Sequence, residues 1–385
     1  MDVDTNVHEY LKNLEEQVPS ELAKLCSDFA VLYDRKFWHQ LTEKSALFLQ
    51  DPNSEPHRLS FYLNFICDWQ SNMNKIKLVT FAIIAAKQFK DVKDAENLLL
   101  SVAEKVDSLE TQDAYAMAKL EQAHFKLLQN DIDSTQTSLK EADKIISALP
   151  KVDASVHASY YRVSADYYKV KAKFGDYYKN ALLYLSCIKL EDLSSEQIFE
   201  RVHDLAISAL LSDTIYNFGD LLSHPIIETL RDSDRGWMYE LLVAFNNGDI
   251  IKLDNLLNRL KEQPILFQHQ DFLKQKMRLM ALVETVFKKQ GSGKKNEQSI
   301  PFKTLAQDIK VTVGEIEHLV MLALSLGLVY GKIDEISQSV DFQWVQPRYL
   351  DKNQIKNMGS KLLGLSERID EMTANLDSQI TCFSD

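Results

Sequence analysis

Five short segments set one aspartate between two stretches of helical apolar period: "FKDVKDAENLLL", "LQNDIDSTQTSL", "KFGDYYKNALLYL", "LLSDTIYNFGDLL" and "FNNGDIIKLDNLL". The aspartates are Asp91, Asp131, Asp176, Asp213 and Asp249, and successive gaps are 40, 45, 37 and 36 residues. An Asp just before a helix accepts a hydrogen bond from a first-turn backbone N–H that has no helical partner, and its charge suits the positive helix end. A spacing of roughly 34–45 residues is that of helix-pair solenoids. The alternative is that Asp is simply common at helix starts. The chain fits a mostly α architecture, since 385 residues contain only 11 Gly and 8 Pro.

No stretch before residue 300 shows period-2 alternation. Val7, Tyr10, Leu11, Leu14 and Val18 form one helical stripe, and "KFWHQLTEKSALFLQ" a further helix ending at the proline-bounded "DPNSEPH". Leu273, Met277, Met280 and Phe287 mark one face of a helix over 271–289. "QGSGKKNEQS" then reads as a linker. Its "GSGKK" is no phosphate loop, because Lys288 stands where the first Gly belongs and Lys295 replaces the magnesium-binding hydroxyl.

After the linker, "IPFKTLAQDI" predicts a short helix with Pro301 near its first turn. Thr312 and Glu315 have capping-box spacing, and Gly327 suits the left-handed position that ends the second helix. "LVYGKI", the turn "DEISQS" and "VDFQWVQP" complete a hairpin in which Val340, Phe342 and Trp344 alternate with Asp341 and Gln343. Helix, turn, helix and hairpin make a winged helix. A groove-reading helix needs Arg, Lys, Asn or Gln. From Val311 to Tyr330 there is none, and the only charged side chains are Glu315 and Glu317. A net charge of −12 argues against attraction of the whole chain to phosphate backbones and leaves a local basic patch open. The remainder of that helix is apolar enough to predict burial on nearly all sides. His318 reads as a packed or surface histidine.

At the C-terminus, Ile355, Leu362, Ile369 and Leu376 stand seven apart, with Met358, Leu365 and Met372 between them. That is a 3.5-residue seam for packing along other helices. It either joins a partner bundle or folds back on its own domain.

No H-E-x-x-H, C-x-x-C, G-x-S-x-G or G-x-G-x-x-G motif occurs, and no H-x-H. The expectation is a non-enzyme without cofactor, metal or small-molecule substrate. Carboxylates converging in the fold stay outside what sequence decides. Cys26, Cys67, Cys187 and Cys382 lie far apart and read as reduced thiols of the cytosol or nucleus. The start "MDVDTNVHEY" has no signal-peptide character, and the longest nearly apolar run, Leu319 to Tyr330, is too short for the ~20 residues of a membrane span.

A helical-repeat chain feeding a winged helix without a basic reading helix resembles the PCI-domain scaffold family. "RKFWHQLTEKSALFLQDP", "YNFGDLLSHPIIETLRDSDRGWMYELLVAFNNGDI" and "DFQWVQPRYLDKNQIKNM" resemble, within it, the PCI subunits of the proteasome lid. The resemblance runs from residue 35 to 358. It implies a TPR-like solenoid over 1–170 and a PCI domain over 171–347, with a helical part at 171–290 and a winged helix at 300–347. A C-terminal bundle helix follows over 348–385. It further implies a non-catalytic lid subunit in the cytoplasm and nucleus, serving ubiquitin-dependent degradation in a hetero-oligomer with other PCI and deubiquitinase-like subunits. Val340, Phe342, Trp344 and Val345 would then lie at a sheet-edge contact with a neighbouring PCI subunit. Ile355, Met358, Leu362, Leu365, Ile369, Met372 and Leu376 would enter the bundle. The rivals are a PCI scaffold of the signalosome or of a translation initiation factor, and a nucleic-acid-binding winged helix.

Overall fold

The computed structural model describes residues 2–108, 110–189, 193–231, 233, 235–257, 259–290, 299–346 and 352–382. Of the predicted linker "QGSGKKNEQS", residues 291–298 lie outside them. The chain forms two compact units, Met1–Ser194 and Ser195–Asp385.

The first unit is all helical among its described residues. Its opening helix, Asp2–Gln17, buries Val7, Leu11 and Leu14 as the stripe predicts, while the Tyr10 hydroxyl donates to Ser60 Oγ at 3.1 Å. A helical segment from Arg58 to Trp69 widens to π geometry over Tyr62–Ile66. This shift brings Phe61, Tyr62, Phe65, Ile66 and Trp69 inward together. Phe61 packs against Phe48 at 4.7 Å and against Phe65 at 5.1 Å between ring centroids, and Phe29 joins them. Edge-on and tilted pairs of this kind add stability beyond their buried area.

Three helix hairpins follow: Lys75–Ala86 with Val92–Val106, Gln112–Leu128 with Ile132–Ala148, and Ala154–Val170 with Phe174–Cys187. The Asp repeat finds its cause here. Asp91 and Asp131 cap the second helix of their hairpins, accepting from Lys93 N at 3.1 Å and Ser134 N at 3.2 Å. Asp176 sits in the first turn of its helix, and in the second unit Asp249 caps Ile250–Leu256 through Lys252 N. Asp213 breaks the pattern, because it lies in the loop after the helix Ser195–Leu211 and starts no helix.

The turns share a second device that the repeat did not reveal. Lys36, Asn130, Ala172 and Gly248 adopt left-handed φ of 55°, 64°, 53° and 65°. In each, the next amide reaches back to close a Schellman turn: Phe37 to Leu32 O, Asp131 to Lys126 O, Lys173 to Tyr168 O and Asp249 to Ala244 O. The following helix begins at once. Only the last of these turns uses glycine, so the others carry the left-handed cost of an L-residue, about 1–2 kcal/mol where no side chain helps. Ala172→Gly removes that cost and gives back part of it as chain entropy. Its expected gain is about 0.5–1 kcal/mol, read as a higher thermal midpoint; an unchanged or lower midpoint would show that Ala172 is unstrained.

The first unit runs to Ser194. The reason is local: Phe174–Cys187 packs along Ala154–Val170 as its hairpin partner and stays with the first unit.

The second unit carries the helices Ser195–Leu211, Gly236–Asn247, Ile250–Leu256 and Gln270–Gln290, then the winged helix. Leu273, Met277 and Met280 of Gln270–Gln290 are buried, with Phe287 half-buried. Helices Phe302–Ile309 and Val313–Ser325 lie in the chain between the first and second strands of a three-stranded antiparallel sheet whose third strand is central. The strands are β1 Ser299–Pro301, β2 Val329–Asp334 and β3 Ser339–Val345. β1 is an addition to the sequence reading, which had only a hairpin: three residues are too few to display alternation. Pro301 ends β1 and is the N-cap of Phe302–Ile309. Leu282, Val286, Leu305, Ile316, Val320 and Phe342 belong to one core.

Candidate protein-interaction surfaces

The winged helix is built as its caps predict. Thr312 and Glu315 form the capping box, with Thr312 N donating to Glu315 Oε2 at 3.1 Å. That bond to the carboxylate lowers the Glu315 pKa, with Arg278 adding a smaller pull. At the other end Gly327 takes φ 68°, its N–H donates to Leu324 O, and Leu328 N reaches Ala323 O.

Burial on all sides does not hold for this helix. Ile316, Leu319, Val320 and Ala323 face the core, but Val313 and Met321 are exposed, as is Leu326 just beyond. A single helix of 13 residues against one core covers one stripe; the rest of its apolar surface is left open. Beside it runs a groove of about 570 Å³, shared with Gln270–Gln290. Val311, Leu319 and Leu322 supply its apolar lining, and Lys274, Arg278, Glu315 and His318 its polar lining.

The hairpin corrects the alternation. Tyr330 pairs with Trp344 and Gly331 with Phe342, so Gln343 is the extra residue of a β-bulge. The bulge exchanges the faces of the strand. Val340, Phe342 and Val345 point into the core, and Trp344, expected beside them, is exposed. Its ring stacks on exposed Tyr330 at 5.0 Å, tilted by 32°. Gly331 is required at this point, since a Cβ there would stand 2.4 Å from the Asp341 carbonyl oxygen. β3 is also the central strand, so the sheet edges belong to β1 and β2 rather than to Val340–Val345. Ile336 is fully exposed at the hairpin tip.

The C-terminal helix spans Lys352–Cys382. Ile355, Met358, Leu362, Leu365, Ile369 and Met372 are all between 54% and 66% exposed, so the described residues leave these six side chains uncovered. The Leu376 side chain lies outside the described residues. Leu363, which the heptad did not single out, is exposed as well. A Cβ at Gly359 or Gly364 would meet nothing within 4 Å. Seven exposed large apolar side chains on one helix are each worth ~1.5–3 kcal/mol when fully buried.

Sequence periodicity also missed the most heavily buried charge of the second unit. Lys276 is 1% exposed. Its ammonium donates to Ala209 O at 2.8 Å, Leu210 O at 3.1 Å and Ser212 O at 2.7 Å, the carbonyls at the end of Ser195–Leu211. Tyr216, Phe218 and Phe272 surround it within 6.0 Å. Burial pushes its pKa down to about 7, and Asp213, the aspartate that starts no helix, pulls it back up. Lys276 is thus an internal C-cap rather than a nucleophile: its three N–H groups are spent on three carbonyls. Among the described residues no cluster of three or more His, Cys, Asp or Glu could hold a metal ion, and no helix is long and apolar enough to cross a membrane.

Two family models match the chain in succession. Residues 25–242 match the family model for PSD13 N-terminal repeats, and residues 253–344 match the PCI domain. The probable 26S proteasome regulatory subunit rpn9 of Schizosaccharomyces pombe is 36% identical over 97% of this chain and 96% of its own length. The 26S proteasome regulatory subunit RPN9 of Saccharomyces cerevisiae is 33% identical over 96% of each chain. The 26S proteasome non-ATPase regulatory subunit 13 homolog A of Arabidopsis thaliana is 34% identical over 92% of this chain and 93% of its own. Helical repeats, a winged helix of PCI type and similarity over nearly the full length together place the chain in the family of 26S proteasome regulatory subunits known as Rpn9 or subunit 13.

Proposed function

We propose that the chain is a non-catalytic scaffold of the proteasome lid, in the 19S regulatory particle, and supports ubiquitin-dependent degradation by holding other subunits in place. The observation that carries this reading is the exposed heptad seam of Lys352–Cys382. A helix this apolar on one side, with Gly359 and Gly364 adding about 1 kcal/mol each against helix formation, needs neighbours to be stable. Its neighbours are the C-terminal helices of other lid subunits, including the deubiquitinase-like ones. The second contact is with an adjacent PCI subunit through the wing. There the Tyr330–Trp344 pair and the β2 edge are the available surface, while Val340, Phe342 and Val345 act from inside by holding the strand in place. The site of action is the cytoplasm and nucleus. Affinity purification of the tagged chain from its own cells, followed by mass spectrometry, should return proteasome lid subunits. Recovery of signalosome or initiation-factor subunits in their place would overturn the assignment.

A further inference from the structure

The bundle reading leaves open what kind of helix meets the seam, and the flanks of the seam answer this. With Ile355, Leu362 and Ile369 at a and Met358, Leu365 and Met372 at d, the e positions are Gly359, Ser366 and Thr373, and the g positions are Lys361, Arg368 and Asn375. One flank is therefore small and uncharged, and the charged residues of the other are both cations. The acidic residues Glu367, Asp370 and Glu371 fall at f, b and c, away from the seam. Leu363, exposed at b, extends the apolar face on the side of the small flank. Flanking e and g charges choose partners in helix bundles.

Resting on the bundle reading, we propose that the g flank of this helix selects a partner helix with Asp or Glu along its facing edge. A second copy of this chain does not meet the requirement. In an antiparallel pair g faces g, setting Lys361 and Arg368 against like charge. In a parallel pair g faces e, where Ser366 and Thr373 offer no anion. The seam therefore favours a heterotypic neighbour, and its charge pattern disfavours filling the position with itself. The small flank accepts a further helix at close range, so that the cationic edge orders the bundle by excluding neighbours with basic edges.

The test uses the full-length chain and two synthetic four-heptad peptides with Ile at a and Leu at d. One carries Glu at every e and g, the other Lys, and like charge keeps each peptide from pairing with itself. Fluorescence anisotropy at low salt should show the Glu peptide bound about ten-fold more tightly, with the preference shrinking at 0.5 M salt. The Lys361→Glu/Arg368→Glu chain should reverse the ranking. Equal binding of the two peptides, or a ranking unchanged by the reversal, would overturn the charge selection while leaving the apolar seam intact. Binding of neither peptide would instead remove the bundle reading beneath it.

Discussion

Lys276→Met should destabilise the second unit by about 3–5 kcal/mol, although methionine nearly matches the length and volume of the lysine stem. The substitution keeps the packing against Phe218 and Phe272 but leaves the carbonyls of Ala209, Leu210 and Ser212 without their donor. Each buried orphan costs about 1–3 kcal/mol, and removal of the ammonium's own desolvation cost offsets only part of the sum. Hydrogen exchange should locate the loss in Ser195–Leu211, with Gln112–Leu128 unaffected. The lysine also gives a sign in pH. Its folded pKa, about 7, lies below the ~10.5 of an exposed lysine, so the folded chain binds fewer protons between these values. The parent's stability measured against Lys276→Met should therefore rise across that window. A methionine variant as stable as the parent would show that the three carbonyls do not depend on the ammonium.

Glu121→Ala should cost the first unit a similar amount, about 3–5 kcal/mol. Glu121 is 1% exposed on Gln112–Leu128 and pairs with Arg162 of Ala154–Val170. It is also the anion facing two further basic groups. Burial, and after it Arg162, lower the pKa of both His124 and Lys87, while Glu121 raises both. Without the carboxylate, Arg162 keeps its burial and loses its contact with Glu121. The double variant Glu121→Ala/Arg162→Ala should be less destabilised than the sum of the singles, since each single change already breaks the contact between the two side chains. Strict additivity in urea unfolding would mean that the two side chains act independently.

Periodicity and local chemistry made much of this fold legible from sequence. The stripe of Val7, Leu11 and Leu14, the capping box at Thr312 and Glu315, and the left-handed Gly327 each depend on neighbours within one or two turns. The misses depend on more distant partners. Trp344 faces outward because Gln343 bulges against the Tyr330–Gly331 step of another strand. β1 exists only through pairing with Ser339–Asp341, and nothing local in the sequence marks Lys276, because its acceptors lie more than 60 residues away. Val313 and Met321 were read as buried because composition reports how apolar a helix is and does not reveal how many sides are covered. The heptad at 355–376 was legible as a seam, and its exposure required the structure.

The most direct measurement replaces two seam residues, Leu362→Ser/Ile369→Ser, and follows the full-length chain into the proteasome by native gel and sucrose gradient. Both side chains are exposed, so the isolated variant should unfold at the parent's temperature. The account predicts that it stays folded and sediments free of the regulatory particle. Incorporation equal to that of the parent would contradict the claim that this helix joins the chain to its assembly.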